Sequence, residues 1–156
     1  MIISYPIAAA FLGTFLAQFI KIPIHYMATK EWKFSLMFST GGMPSSHTAT
    51  VVSLAMAIGL SEGYLSNHFA ISLVLAVIVM HDATGVRRHA GHQAELLNQL
   101  TNDFTNLLEV IRHPNLKRYE TRKKLKELLG HKPAEVFFGA ILGIVVALLL
   151  FGIYYD

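Results

Sequence analysis

Two histidines stand among residues suited to phosphate chemistry. His47 closes the run Gly41-Gly42-Met43-Pro44-Ser45-Ser46-His47. Its glycines let backbone approach a ligand closely. Pro44 suits the first position of a helix, and Ser45 or Ser46 suits its cap. A helix opening here, over Thr48 to Leu60, aims free N–H groups and its positive dipole end at one spot, a setting that favours an anion such as phosphate. His47 sits at that spot as a candidate proton donor. The same residues also read as an ordinary capped helix start with a surface histidine. The second run is Gly130-His131-Lys132-Pro133-Ala134-Glu135-Val136. Pro133 again suits a first helical position. With a helix starting near His131, Glu135 lies one turn on and on the same face. A carboxylate so placed fixes the tautomer of a histidine and raises its basicity. The alternative is an acid that favours a helix N-terminus beside an interfacial histidine.

The elements that must hold these residues are apolar. The 156 residues suffice for one domain. Of them 53% are hydrophobic and 15% charged, against about 25% charged in a soluble protein. No cysteine is present, which excludes disulfides and thiolate metal sites. The net charge of +3 suits an acidic partner, either anionic lipid or phosphate; nucleic acid is not expected of so apolar a chain. No cleavable leader is expected, since the first residues carry no positive charge. Ile2 to Ile20 is free of charge, about the length that crosses a bilayer core, and Lys21 and Pro23 then end the run. Further apolar stretches lead to an expected single membrane domain over residues 1–156, with spans at about 2–20, 44–61, 66–81 and 134–155. The third is short, His68 to Met80 before His81 and Asp82, and suits a tilted or partly buried helix. In the fourth, Gly139 and Gly143 are four apart, a small-residue face for close packing or a coincidence of composition.

Between the third and fourth spans, at about 82–131, a helical segment is expected outside the membrane. Leu96, Leu97, Leu100, Phe104, Leu107, Leu108 and Ile111 keep helical spacing and make an amphipathic helix. Pro114 ends it. Lys117, Arg118, Arg122, Lys123, Lys124 and Lys126 then form a basic segment, which suits an anionic membrane surface or a solvated face. If the four spans cross in turn, all 13 Lys and Arg fall on one side, which the positive-inside rule makes cytoplasmic. That arrangement turns both termini outward and collects Lys21, His47, Asp82, Arg87, Arg88, His131 and Glu135 at one membrane face. The fold class expected is therefore all-α: an integral membrane bundle of about four transmembrane helices with a cytoplasmic amphipathic and basic segment.

Pro44-Ser45-Ser46-His47 resembles the P-S-G-H motif of the type-2 phosphatidic acid phosphatase superfamily, which is related to acid phosphatases and vanadium-dependent haloperoxidases. The run from Gly130 to Val136, with Gly139 and Gly143 after it, resembles that superfamily's last motif, G-x-H-x-x-x-D opening a glycine-containing helix. Asp82-Ala83-Thr84-Gly85-Val86-Arg87-Arg88 with Gln93, together with the Gly-Gly-Met-Pro-Ser-Ser-His run, resembles a divergent branch of small bacterial and plant membrane proteins. The resemblance covers most of the chain. It implies a bacterial cell-membrane phosphatase that hydrolyses a lipid phosphate or pyrophosphate from the cytoplasmic face, with no metal or other cofactor.

On this resemblance His131 is the nucleophile that forms a phosphohistidine, Glu135 its orienting acid and His47 the general acid. Lys21, Ser45 and Ser46 hold phosphate oxygens. Departures accompany it. Ala28 and Thr29 fill the R-P positions of the first motif K-x6-R-P counted from Lys21, and Leu125 stands where the third motif has an arginine. Arg87 and Arg88, with Asp82 beside them, are the candidates to supply the missing guanidinium groups, since arginine binds phosphate in bidentate fashion; they also read as membrane-boundary residues. A non-catalytic lipid-phosphate-binding or scaffold protein of the same fold is the alternative. His81, His89 and His92 raise the question of a metal, and His89 and His92 are spaced to chelate on a helix. No third ligand is placed, so no metal site is assigned. Neither oligomeric state nor lipid head group is specified.

Overall fold

The computed structural model describes residues 4–39, 41–111 and 133–155. Their regular elements are helices: α1 (Tyr5–Thr29), a 3-10 turn (Phe34–Phe38), α2 (Ser46–Glu62), α3 (Asn67–Thr84), α4 (Val86–Ile111) and α5 (Pro133–Tyr155). Helix α2 is the centre of the bundle and packs on α1, α3 and α5, while α1 and α5 also touch each other. Helix α4 touches α3 alone among the described elements.

The sequence of α2 explains its central place. Ser45, Ala49, Ser53 and Ala57 recur every fourth residue from its cap onward and are all buried. Residues at this spacing share one face of a helix. Gly139 and Gly143 of α5 lie against that stripe so closely that a Cβ at Gly139 would sit 2.6 Å from the Ser45 carbonyl oxygen, and one at Gly143 2.8 Å from that of Ala49. Gly13 of α1 meets α2 in the same way, at Ser53 Oγ and the Ala49 carbonyl. The two glycines four apart thus serve as a contact face. Polar groups join the helices: Tyr5 Oη donates to the Ala147 carbonyl over 2.7 Å, and the hydroxyls of Thr14 and Thr50 share a hydrogen bond.

Large apolar side chains point the other way. Phe11, Phe15 and Phe19 of α1, Ile71, Val74 and Ile78 of α3, and Phe137, Leu148 and Leu149 of α5 are exposed. Small residues within and bulky apolar residues without is the packing of helices in lipid, where close backbone approach rather than water exclusion drives association. Helices α1, α3 and α5 are each long and apolar enough to cross a membrane. Helix α2 has 17 residues and runs the height of the bundle among them, from Ser45 beside Glu135 to Ala57 in a cluster with Tyr5, Ala9 and Ala147. The protein is an all-α membrane helical bundle.

Three boundaries differ from the sequence expectation. The first helix does not stop at Lys21; it continues through Pro23 and closes at Lys30, which has a φ of 60° and donates its N–H to the Tyr26 carbonyl. A charge ends a span when it would face lipid, and Lys21 instead turns inward, 2% exposed. Helix α3 is 18 residues long and carries His81 and Asp82 in its last turn, so the short third run is the apolar part of a longer helix. Pro44 is not the first residue of α2: Ser46 is, after the cap Ser45. Pro133, by contrast, does open α5. The amphipathic stretch lies on α4, whereas the basic segment, residues 117–126, and His131 lie outside the described residues.

Candidate functional site

Four segments meet at the end of the bundle where α2 and α5 begin. Ser45 is wholly buried and caps α2, its Oγ accepting from the Thr48 N–H over 3.3 Å and from the Thr48 hydroxyl over 3.0 Å. Its own N–H donates to the Glu135 carbonyl over 2.9 Å. That bond ties the loop before α2 to the first turn of α5 and so joins the two histidine-bearing motifs. Ser46 is 3% exposed, and His47, next along α2, is half-buried.

Lys21 comes to the same loop from α1. Its Nζ donates to the Ser39 carbonyl over 3.2 Å. Ser39 Oγ in turn donates to the carbonyls of Leu36 and Gly41, at 2.8 and 3.0 Å, and so curls the loop around the amine. Gly42 has a φ of +94°, a conformation that costs glycine little. A side chain there would start 3.9 Å from Lys21 Cδ. Glu135 is half-buried and lies within Coulombic reach of Lys21. Lys21, Ser45, Ser46, His47 and Glu135 are therefore gathered at one end of the bundle.

Asp82, Arg87 and Arg88 belong to the corner where α3 passes into α4. Asp82 is half-buried in the last turn of α3, and Arg87 and Arg88 stand in the first turn of α4. Gly85 turns the chain between them, at φ −99° and ψ −92°. This corner faces the opening of α5: Met80, His81 and Thr84 line one wall of a groove of about 470 Å³, and Pro133, Val136, Phe137 and Ala140 line the other. His131 precedes that wall by two residues in sequence and is outside the described residues.

Sequence reasoning overlooked Ser39, whose carbonyl and hydroxyl shape the lysine's surroundings, and weighed His81 only as a metal ligand. Ser39 lies in an uncharged polar run with no motif to mark it, so its part emerges only from the loop's path. Among the described residues no group of three or more His, Asp or Glu side chains is placed to hold a metal. His92 of α4 faces Glu95 at 3.7 Å.

A family model described as the Divergent PAP2 family matches residues 3–146. The chain belongs to the divergent PAP2 family. It is also 46% identical over 151 residues to the uncharacterized membrane protein YuiD of Bacillus subtilis (strain 168), a match covering 96% of each chain. No solved structure matches. Membership in the divergent PAP2 family agrees with the resemblance read from the Pro-Ser-Ser-His and Gly-His-Lys-Pro runs, and the apolar helices agree with the relative's description as a membrane protein.

Proposed function

We propose that this divergent PAP2 protein is a membrane phosphatase that hydrolyses a lipid phosphate or pyrophosphate through a phosphohistidine. The observation that supports it most is the hydrogen bond from Ser45 N–H to the Glu135 carbonyl. It keeps the start of α2, with His47, beside the first turn of α5, which carries Glu135. Lys21 stands behind the same loop. Positioning of this kind lets a bimolecular attack proceed as a step within one complex.

In the first step a ring nitrogen of His131 attacks phosphorus, the bond to the leaving oxygen breaks, and His47 gives that oxygen a proton. In the second, water attacks the phosphohistidine, His47 takes the water's proton back, and inorganic phosphate leaves with His131 restored. Glu135 keeps the His131 tautomer that attacks. Lys21, Ser46, the hydroxyl proton of Ser45 and the first-turn N–H groups of α2 offset charge on the phosphoryl oxygens, as do Arg87 and Arg88, with Asp82 orienting the arginines. The active face is the basic, cytoplasmic one.

A second reading, a lipid-phosphate-binding or scaffold protein without turnover, draws on Ala28 and Thr29. They occupy the last turn of α1, where the related motif has Arg-Pro, and Thr29 Oγ1 donates to the His25 carbonyl. The test is phosphate release by purified protein from a panel of lipid phosphates and pyrophosphates, with and without chelator. Release that chelator leaves unchanged is expected. Binding without release across the panel favours the second reading. Release that chelator abolishes and a divalent ion restores contradicts the metal-free mechanism.

A further inference from the structure

The site takes up one end of the bundle and leaves α4 beyond its first turn without a role. This helix is 26 residues long, about 39 Å at 1.5 Å per residue. Leu96, Leu97, Leu100, Phe104 and Leu108 fall within one third of its circumference, and all are exposed, Leu96 by 64% and Leu100 by 65%. Glu95, Asn98, Asn102 and Thr105 lie on the opposite side. The buried residues Gly91 and Ala94 also fall away from the leucines. Since α4 touches only α3 among the described elements, its apolar face is directed away from the bundle.

We propose that this face rests in the head-group region of the bilayer, so that α4 is a membrane-surface anchor continuous with the transmembrane helices. Position is the first ground. Val74, Val77 and Ile78 of α3 are exposed on a helix apolar enough to span, and α4 begins at Val86, two residues after α3 ends. Helix α4 therefore starts at the edge of the hydrocarbon that already covers α3. Composition is the second ground. From His89 to Ile111 the charged residues are Glu95, Asp103 and Glu109, with no Lys or Arg. Insertion of the leucines therefore supplies the binding. A soluble acidic partner would meet these acids and leave the apolar face in water; a bilayer covers that face. Anchoring also fixes the α3–α4 corner, with Asp82 and the two arginines, at head-group depth.

The native chain has no cysteine, so one label can be placed at will. Full-length Leu100→Cys and Asn102→Cys, with Phe104→Cys as a second probe of the apolar face, are labelled with an environment-sensitive fluorophore. Each is reconstituted in vesicles of neutral and anionic phospholipid. The expected result is loss of fluorescence at positions 100 and 104 with lipids spin-labelled near the head group, with little loss to aqueous iodide, and the reverse at 102. Iodide quenching at all three positions overturns the proposal. So does shielding of 100 and 104 from both quenchers accompanied by disulfide formation between two Leu100→Cys chains, which would make a second copy the occupant.

Discussion

Lys21 is a cation inside an apolar helix, and it has what such a group needs: the Ser39 carbonyl as acceptor and Glu135 within Coulombic reach. A bound phosphate would be one more anion at the same place. On the proposed mechanism Lys21→Met lowers kcat/KM by about 10²–10³-fold, the usual loss when one donor to a developing oxyanion is removed. Phosphate-release kinetics on folded, inserted protein check it, and wild-type turnover would remove Lys21 from the site. His47 acts on the leaving oxygen, where general-acid catalysis typically contributes about 10²–10⁴-fold. A substrate with a good leaving group should therefore rescue His47→Ala and leave His131→Ala inactive. Equal rescue of both would refute the division of roles. The two helix starts that hold these residues were legible in the proline and serine at them, residues that equally suit an ordinary helix start. What Ser45 does was not: a serine before a helix can cap it, but the gift of its N–H to Glu135 requires knowing that α5 starts beside α2.

At the scale of elements, the close approach of α2 to α5 decides the geometry. Gly139 lies over the Ser45 carbonyl and Gly143 over that of Ala49, both backbone atoms that no rotamer change can move aside. Gly139→Val and Gly143→Val must push the helices apart, and overpacking of this kind costs about 1–3 kcal/mol. Both variants should melt at lower temperature than wild type in detergent, and Gly139→Val should lose activity beyond its loss of stability, because it displaces the start of α2, which carries His47. Unchanged melting would mean that the two helices are not held this closely. The stretches that became helices were plain from charge-free length. Their ends were less so, because a run of hydropathy stops at Lys21 and at His81, whereas the hydrogen-bonded helix continues wherever a polar side chain finds a partner or reaches the interface. Pro23 reads as a breaker, yet it removes a single donor within a helix of 25 residues.

For the whole molecule, the order of helices sets Tyr5 beside Phe151, Tyr154 and Tyr155 at one end, and Lys21 beside the α2 loop at the other. Aromatic residues at both ends, with Tyr26 and Trp32 stacked beside Lys30 at the cationic one, suit a protein seated across a bilayer. With the cationic end in the cytoplasm, Leu65→Cys should react with an impermeant thiol reagent from outside intact cells, and Asn102→Cys only after the membrane is opened. Labelling of both from the same side would contradict four crossings. The bundle could be anticipated because apolar length and charge asymmetry are properties of sequence. Which helix is central could not, since α2 is not among the three helices long and apolar enough to cross a membrane, and it takes its place through serines and alanines that hydropathy ranks low. The claim on which the function depends is the covalent intermediate at His131. Protein mixed with a lipid phosphate radiolabelled in its phosphoryl group and quenched in alkali within one turnover should carry label on His131, acid-labile and absent from His131→Ala. Label elsewhere, or phosphate released by the wild type with no labelled protein at any quench time, would contradict the account.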